Sequence, residues 1–293
     1  MRCTAIRMIR LYSFYALFLF LLIACKKGDK IPSYLEIPSV VVLAGNDTLT
    51  SKITDVWVYA DQQALGSWEL PARIPVLKEG SVNIQVSPAV KRNGMYDDRD
   101  RYSFYTWWNG TVDLGVKETT RIQPHVAYVD GLEIWHESFE EPGFQLIVSQ
   151  DSDTTLMRFT PTEHPEVQQL PGSEAAGGFV LDQAHPYMRA YTDEDFDPTG
   201  GPMYLELDFS TNVQLTVGVL YVSAGEPVST PYVYLAPTAD AGTILPTWNK
   251  VYIDLSPVYN LGISQRDFYI EASAPSSGTA RIYLDNLKLV RFQ

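Results

Sequence analysis

The chain carries few side chains of the kinds that do chemistry, and their spacing decides what they can be. Its four histidines, His125, His136, His164 and His185, lie on separate stretches. None sits in a His-Glu-x-x-His pattern and no pair has ligand spacing on one element, so zinc is not expected. Glu163-His164-Pro165-Glu166 and Asp182-Gln183-Ala184-His185 read as loop polarity. The densest acidic run, Asp193-Glu194-Asp195-Phe196-Asp197, precedes Pro198-Thr199-Gly200-Gly201-Pro202 and reads as a solvated loop, with cation binding as its second reading. Glycan hydrolysis would want two carboxylates facing each other across a cleft, about 5–9 Å apart. Among 35 acidic residues such a pair arises by chance and identifies nothing. No Gly-x-Ser-x-Gly and no phosphate-cradling glycine loop occurs, so no enzyme activity is expected.

The two cysteines, Cys3 and Cys25, both belong to the N-terminal stretch. Arg2, Arg7 and Arg10 precede or open an apolar run, Leu11 to Ala24, that holds no acidic residue. This is the layout of a charged start and a hydrophobic export segment, too short for a comfortable spanning helix. Leu22-Ile23-Ala24 before Cys25 resembles the lipobox of bacterial lipoproteins. The resemblance implies a signal peptide over 1–24, cleavage just ahead of Cys25, and acylation (palmitate among the chains) that holds the protein to a membrane. With Cys3 discarded and Cys25 acylated, the mature chain has no disulfide, no thiol nucleophile and no cysteine metal site.

Charge narrows the partners further. The whole chain has 22 basic and 35 acidic residues, a net charge of −13. Removal of the three signal arginines leaves 19 basic against 35 acidic residues, or −16. Phosphate backbones repel such a surface, so no nucleic-acid partner is expected.

The elements that must position any site read as strands. Aromatics at 12%, including 18 Tyr, with 19 Gly and 19 Pro, suit strands and turns. After a polar tether over 25–33, Tyr34 to Ile37 and Val40 to Leu43 are β-rich. Val56 and Val58 alternate with Trp57 and Tyr59, a turn follows at Ala60 to Gln63, and Val82, Ile84 and Val86 alternate cleanly. The stretch from Thr54 to Pro88 resembles PEGA-like modules, small β-sandwiches, through "LGSWELP" and "EGSVNIQV". The charged run Asn93 to Arg101 reads as a solvated loop, and Asn109-Gly110 as a hairpin turn. The first domain is placed over 34–130.

Over 131–293 the marks are "FEEPG" at Phe139 to Gly143, "YLELDF" at Tyr204 to Phe209, "WNKVYIDL" at Trp248 to Leu255 and "IYLDNLKL" at Ile282 to Leu289. These resemble the jelly-roll modules of secreted and surface proteins, many of them carbohydrate-binding. The expected fold is therefore all-β: a small PEGA-like β-sandwich followed by a larger jelly-roll β-sandwich. The resemblance also implies a structural Ca²⁺ between Glu140, helped by Glu137 or Glu141, and Asp285. Otherwise no cofactor is expected, and Asp285-Asn286 would simply end a strand.

A last feature is the aromatic belt Tyr102, Tyr105, Trp107 and Trp108. Strand alternation lets only part of it be core. Three uses are open: packing within or between domains, a protein interface, or stacking on sugar rings. Taken whole, the chain resembles lipoproteins of Bacteroidota-type bacteria, in which residues after the acylated cysteine, here Lys26-Lys27-Gly28-Asp29, favour display on the cell surface. The expectation is a non-enzymatic outer-membrane lipoprotein that docks as an accessory subunit on an outer-membrane protein complex concerned with assembly, secretion or uptake. The alternative is a surface protein that binds glycan through the jelly roll.

Overall fold

A computed structural model describes residues 31–43, 50–197, 200–240 and 247–293. Cys25 lies outside the described residues. Among them no helix is long and apolar enough to cross a membrane. Among the described residues the regular elements are strands, apart from one short helix, as the alternating patterns require.

The first unit holds β1 (Ser33–Ile37), β2 (Val41–Val42), β3 (Asp55–Ala60), β4 (Gln63–Glu69), β5 (Ala72–Val76), β6 (Gly80–Lys91), β7 (Arg99–Arg101), β8 (Trp108–Leu114), β9 (Thr119–Arg121) and β10 (His125–Val126). One sheet runs β4-β3-β6-β7, and β8 shares the β6 edge with β7. A second layer is β5-β1-β9, with β2 and β10 paired beside it. Val56, Val58, Ile84 and Val86 from the first sheet meet Leu35, Ile37 and Ile74 from the second, and all are fully buried.

Two local expectations are corrected. Asn109-Gly110 is no turn: both residues lie inside β8, opposite Gln85 and Ile84. The Trp108 ring lies over Gly110, where a Cβ would come within 2.4 Å of it, so the glycine serves a close approach and not a bend. The Asn-Gly pair that does turn the chain is Asn93-Gly94, with φ of +55° and +73°. Arg99–Arg101 is a strand, not a solvated loop, because its charges are paired in place: Arg99 meets Asp55 at 2.9 Å, and Asp55 is fully buried.

The second unit holds β11 (Leu132–Glu137), β12 (Ile147–Val148), β13 (Met157–Phe159), β14 (Ala176–Leu181), β15 (Tyr187–Tyr191), β16 (Met203–Thr211), β17 (Leu215–Ser223), β18 (Glu226–Leu235), β19 (Asn249–Asp254), β20 (Ser264–Ser273) and β21 (Ala280–Phe292). One turn of helix, Ser256–Tyr259, follows β19. A six-stranded sheet runs β13-β14-β21-β16-β19, with β11 also on β21. A five-stranded sheet runs β12-β15-β20-β17-β18 and packs over it. The result is a two-layer antiparallel sandwich.

The two units share one buried junction. All nine residues of β16 are buried, although the strand alternates apolar and polar. Leu205, Leu207 and Phe209 fill the sandwich core, while Tyr204, Glu206 and Asp208 point the other way, against the first unit. Lys250 and Tyr252 of β19 and Lys288 and Val290 of β21 share that face. Tyr102 packs edge-on to Phe104, Tyr105, Tyr204 and Tyr252, with ring centroids 4.8–5.3 Å apart. At the centre Glu206 accepts the Tyr102 and Tyr128 hydroxyls, both at 2.7 Å, and forms an ion pair with Lys250 at 3.1 Å. At the rim the Tyr204 hydroxyl donates to Asp100 at 2.6 Å, and Asn93 Oδ1 accepts the Asp254 backbone N–H at 2.9 Å.

Candidate functional site

The structure separates the residues that the sequence grouped. Tyr102 and Tyr105 are buried in the junction, so they are spent on fixing the two units together and offer no surface. Trp108 turns inward against the first unit's core. Trp107 is exposed and stacks on Tyr59 at 5.6 Å. Arg101 stands within 6 Å of both the Trp107 and Trp57 rings. The four aromatics therefore make no common patch.

The residues proposed for calcium come near one another but are already engaged. Glu140 accepts the Ser173 hydroxyl at 2.9 Å and the Glu174 backbone N–H at 3.0 Å. Glu137 accepts the backbone N–H groups of Phe139 and Gln145. The guanidinium of Arg158 donates to the carbonyls of Phe139 at 2.6 Å and Glu140 at 2.5 Å. Calcium wants six to eight oxygens. Here a fixed cation already holds the two carbonyls of the opening turn, and among the described residues no three acidic or histidine side chains converge for a metal. These residues do not fit the ion.

Asp285 stays anomalous. It is 1% exposed, with one carboxylate oxygen bonded to the Asn286 backbone N–H and the other unpartnered. Burial, reinforced by Asp208 and Glu140, pushes its carboxyl up to about 7.

His164 bonds Glu166 at 3.1 Å and His185 bonds Asp182 at 3.2 Å, both on the surface. The acidic run caps backbone: Asp195 accepts the Arg266 N–H, and the neighbouring Asp267 accepts the Thr192 hydroxyl and the Glu194 N–H.

The face best built to hold a ligand is the outer surface of the five-stranded sheet. In β15, Met188 and Ala190 enter the core, which sends Tyr187, Arg189 and Tyr191 outward. Register sets Glu271 of β20 opposite Arg189 and Tyr269 opposite Tyr191. On the far side of β20 lie Thr216 and Gly218 of β17, and beyond Thr216 stands Tyr234 of β18.

Arg189 donates from Nε at 2.9 Å and from Nη2 at 2.6 Å to Glu271 Oε2, and the Tyr187 hydroxyl donates to the same oxygen at 2.8 Å. Burial, then the Glu271 bond, raises the Tyr187 phenol, which therefore remains a donor. The Arg189 guanidinium lies 4.4 Å above the Tyr269 ring. That ring lies flat across Gly218, where any Cβ would sit 2.1 Å from it, so only glycine permits the arrangement.

Tyr187 and Tyr191 are half-buried and Tyr234 is 61% exposed, whereas Tyr269 is fully buried and serves only to support Arg189. Two hollows flank the face. One, of about 350 Å³, includes Gln214, Thr216 and Glu271; the other, of about 520 Å³, includes Asp193, Ser229 and Asp267.

The chemistry such a surface offers is that of holding and orienting a ligand. Phenol rings offer flat apolar faces, while Arg189 and Glu271 offer donors and an acceptor at fixed positions. Sequence reasoning missed these residues. The signal was present as Tyr187-x-Arg189-x-Tyr191 and Tyr269-x-Glu271, aromatic and charged residues alternating with Met188, Ala190 and Ile270.

No family model matches the chain, and no curated protein matches it. Among solved structures, a family 61 carbohydrate-binding module in complex with β-1,4-galactotriose is 13% identical, with a TM-score of 0.30, over 50% of this chain and 88% of that one. A family 11 carbohydrate-binding module from Clostridium thermocellum, in complex with a mixed-linked tetrasaccharide, is 10% identical, with a TM-score of 0.30, over 55% and 89%. The K1 cleaved adhesin domain of Lys-gingipain from Porphyromonas gingivalis is 14% identical, with a TM-score of 0.34, over 55% and 99%. At these identities and TM-scores the likeness carries no inference about function.

Proposed function

We propose that the protein is a lipid-anchored outer-membrane protein that binds glycan, without turning it over, on the outer face of its five-stranded sheet. One observation carries this reading: the Tyr187–Glu271–Arg189 network, set between Tyr191 and Tyr234 on rigid strands, with the buried Tyr269 ring beneath Arg189. Sugars present alternating hydroxyl edges and flat C–H faces. A sheet that holds charged hydrogen-bonding groups between tyrosine rings matches both. All three network bonds fall on Glu271 Oε2, so Oε1 carries none of them and suits a sugar hydroxyl. Docking on a protein complex has less to support it, because Tyr102 and Tyr105, half of the aromatic set that suggested it, are consumed by the junction.

Detergent-purified full-length protein on a glycan array is expected to bind at least one saccharide class. Arg189→Ala is expected to weaken that binding by about 10- to 100-fold, the worth of a hydrogen bond to a charged group, with the melting curve preserved. An array with no bound glycan, or an Arg189→Ala variant of unchanged affinity, would contradict the reading.

The anchor is tested separately. Metabolic labelling with an alkyne palmitate is expected to mark the wild type and to miss Cys25→Ser. Equal labelling of both would remove the lipid from the proposal.

A further inference from the structure

The molecule is strongly acidic, yet the cleft between its two units is lined by amines. This cleft, of about 510 Å³, takes Lys52, Lys91 and Asn93 from the first unit and Tyr234, Trp248 and Asn249 from the second. Two of the nearby lysines are neutralised: Lys91 meets Glu69 at 3.0 Å, and Lys250 is held by Glu206 and Asp208. Lys52 differs. Among the described residues no carboxylate lies within ion-pair distance of it, and its amine donates to the Asn249 side-chain oxygen. Partial burial and repulsion from Lys91 hold its ammonium below the usual lysine range.

We propose that this cleft is a second binding site, specific for the carboxylate of an acidic sugar, which Lys52 receives while the ring lies against Trp248 or Tyr234. A bare anion would need only the cation. The rings supply the flat stacking faces that a pyranose adds, and the Asn249 side-chain N–H₂ supplies a donor for its hydroxyls, the Asn93 and Asn249 oxygens being already taken by the Asp254 N–H and by Lys52. Tyr234 belongs both to the outer sheet face and to the cleft wall, so a chain lying on the sheet runs on into the cleft. In this respect the inference rests on the glycan reading above. The site exists only where the units meet, and the buried junction fixes its width.

Full-length protein in detergent is to be titrated calorimetrically with tetramers of galacturonate, mannuronate and guluronate, each as free acid and as methyl ester. At low salt at least one free acid is expected to bind about tenfold more tightly than its ester, with the gap closing as salt screens the charge. Lys52→Met is expected to abolish the preference and Lys52→Arg to keep it, while Arg189→Ala weakens acid and ester alike. Equal affinity for acid and ester in the wild type, or a preference that survives Lys52→Met, overturns the cleft site and leaves the sheet-face reading standing. Failure of every saccharide, on the array and in this panel, overturns both.

Discussion

Replacing Lys250 by methionine is expected to destabilise the protein by about 3–5 kcal/mol, the cost of removing one partner from a buried ion pair. Lys250 is 7% exposed and stands 3.1 Å from Glu206 and 3.4 Å from Asp208, which are 0% and 2% exposed. Without the ammonium, two carboxylates remain side by side in the junction. The Tyr102 and Tyr128 hydroxyls still donate to Glu206, but hydroxyl dipoles cannot replace a full charge. The two carboxylates raise the Lys250 ammonium above its ordinary value despite its burial, so the contribution is complete below about pH 10 and fades only in stronger alkali. Urea unfolding at neutral pH measures the loss. The double variant Lys250→Met with Glu206→Gln is expected to recover part of it, since it removes the carboxylate left stranded at the centre. A loss under about 1 kcal/mol for Lys250→Met would mean that water reaches the junction and the units are not locked.

Asn in place of Asp285 is expected to have the opposite sign. Burial lifts the native carboxyl to about 7 from an ordinary value of 3.8, so the folded state holds a proton that the unfolded chain has released. A native pKa raised in this way gives stability that is full below about pH 4 and declines as pH rises through about 7. Each pH unit in that window is worth about 1.4 kcal/mol, which bounds the loss near 4 kcal/mol and places it at about 2–4 kcal/mol in a relaxing interior. Wild type should therefore be less stable at pH 8 than at pH 5. Asp285→Asn, neutral throughout, should lose this slope and exceed wild type at pH 8. Urea unfolding at the two pH values decides it, and wild-type stability unchanged between them would refute the assignment. Added calcium is expected to change neither protein, because Arg158 already holds the carbonyls of Phe139 and Glu140. A calcium-dependent rise in wild type alone would show that the ion displaces the guanidinium and neutralises Asp285.

How far the sequence could be read follows from which interactions are local. Alternation along Val82, Ile84 and Val86 marks a strand wherever it occurs, because successive side chains must leave opposite faces of an extended backbone. Asn-Gly is weaker evidence, since either residue also fits a strand. Whether the pair turns at 93–94 or passes straight through at 109–110 was set by the Trp108 ring lying on Gly110 and by pairing with β6. The charged run before Tyr102 reads as solvent-facing loop when its charges are counted without their partners. Asp55, which pairs with Arg99, lies more than 40 residues away.

The candidate sites divide in the same way. Tyr187-x-Arg189-x-Tyr191 was legible as an outward row, but nothing local shows that Glu271 and Tyr269 stand opposite it; the pairing register of β15 and β20 does that. The lysine-lined cleft was not legible at all, since its walls come from residues nearly 200 positions apart.

What the amino-acid sequence determined by itself was the all-β character, the near absence of catalytic motifs and the strongly acidic charge. Each of these follows from residue type or from a period of two, which needs no knowledge of neighbours. Only the tertiary structure decided what covers the second face of β16. The pattern Tyr-Leu-Glu-Leu-Asp-Phe alternates as a half-exposed strand would, yet Glu206 and Asp208 are buried against the first unit. Alternation states that a strand has two faces, and the chemistry of each face depends on what packs against it. For that reason Tyr102 and Tyr105 of the aromatic belt became part of a junction, and the proposed binding surfaces lie where strands distant in sequence were brought side by side.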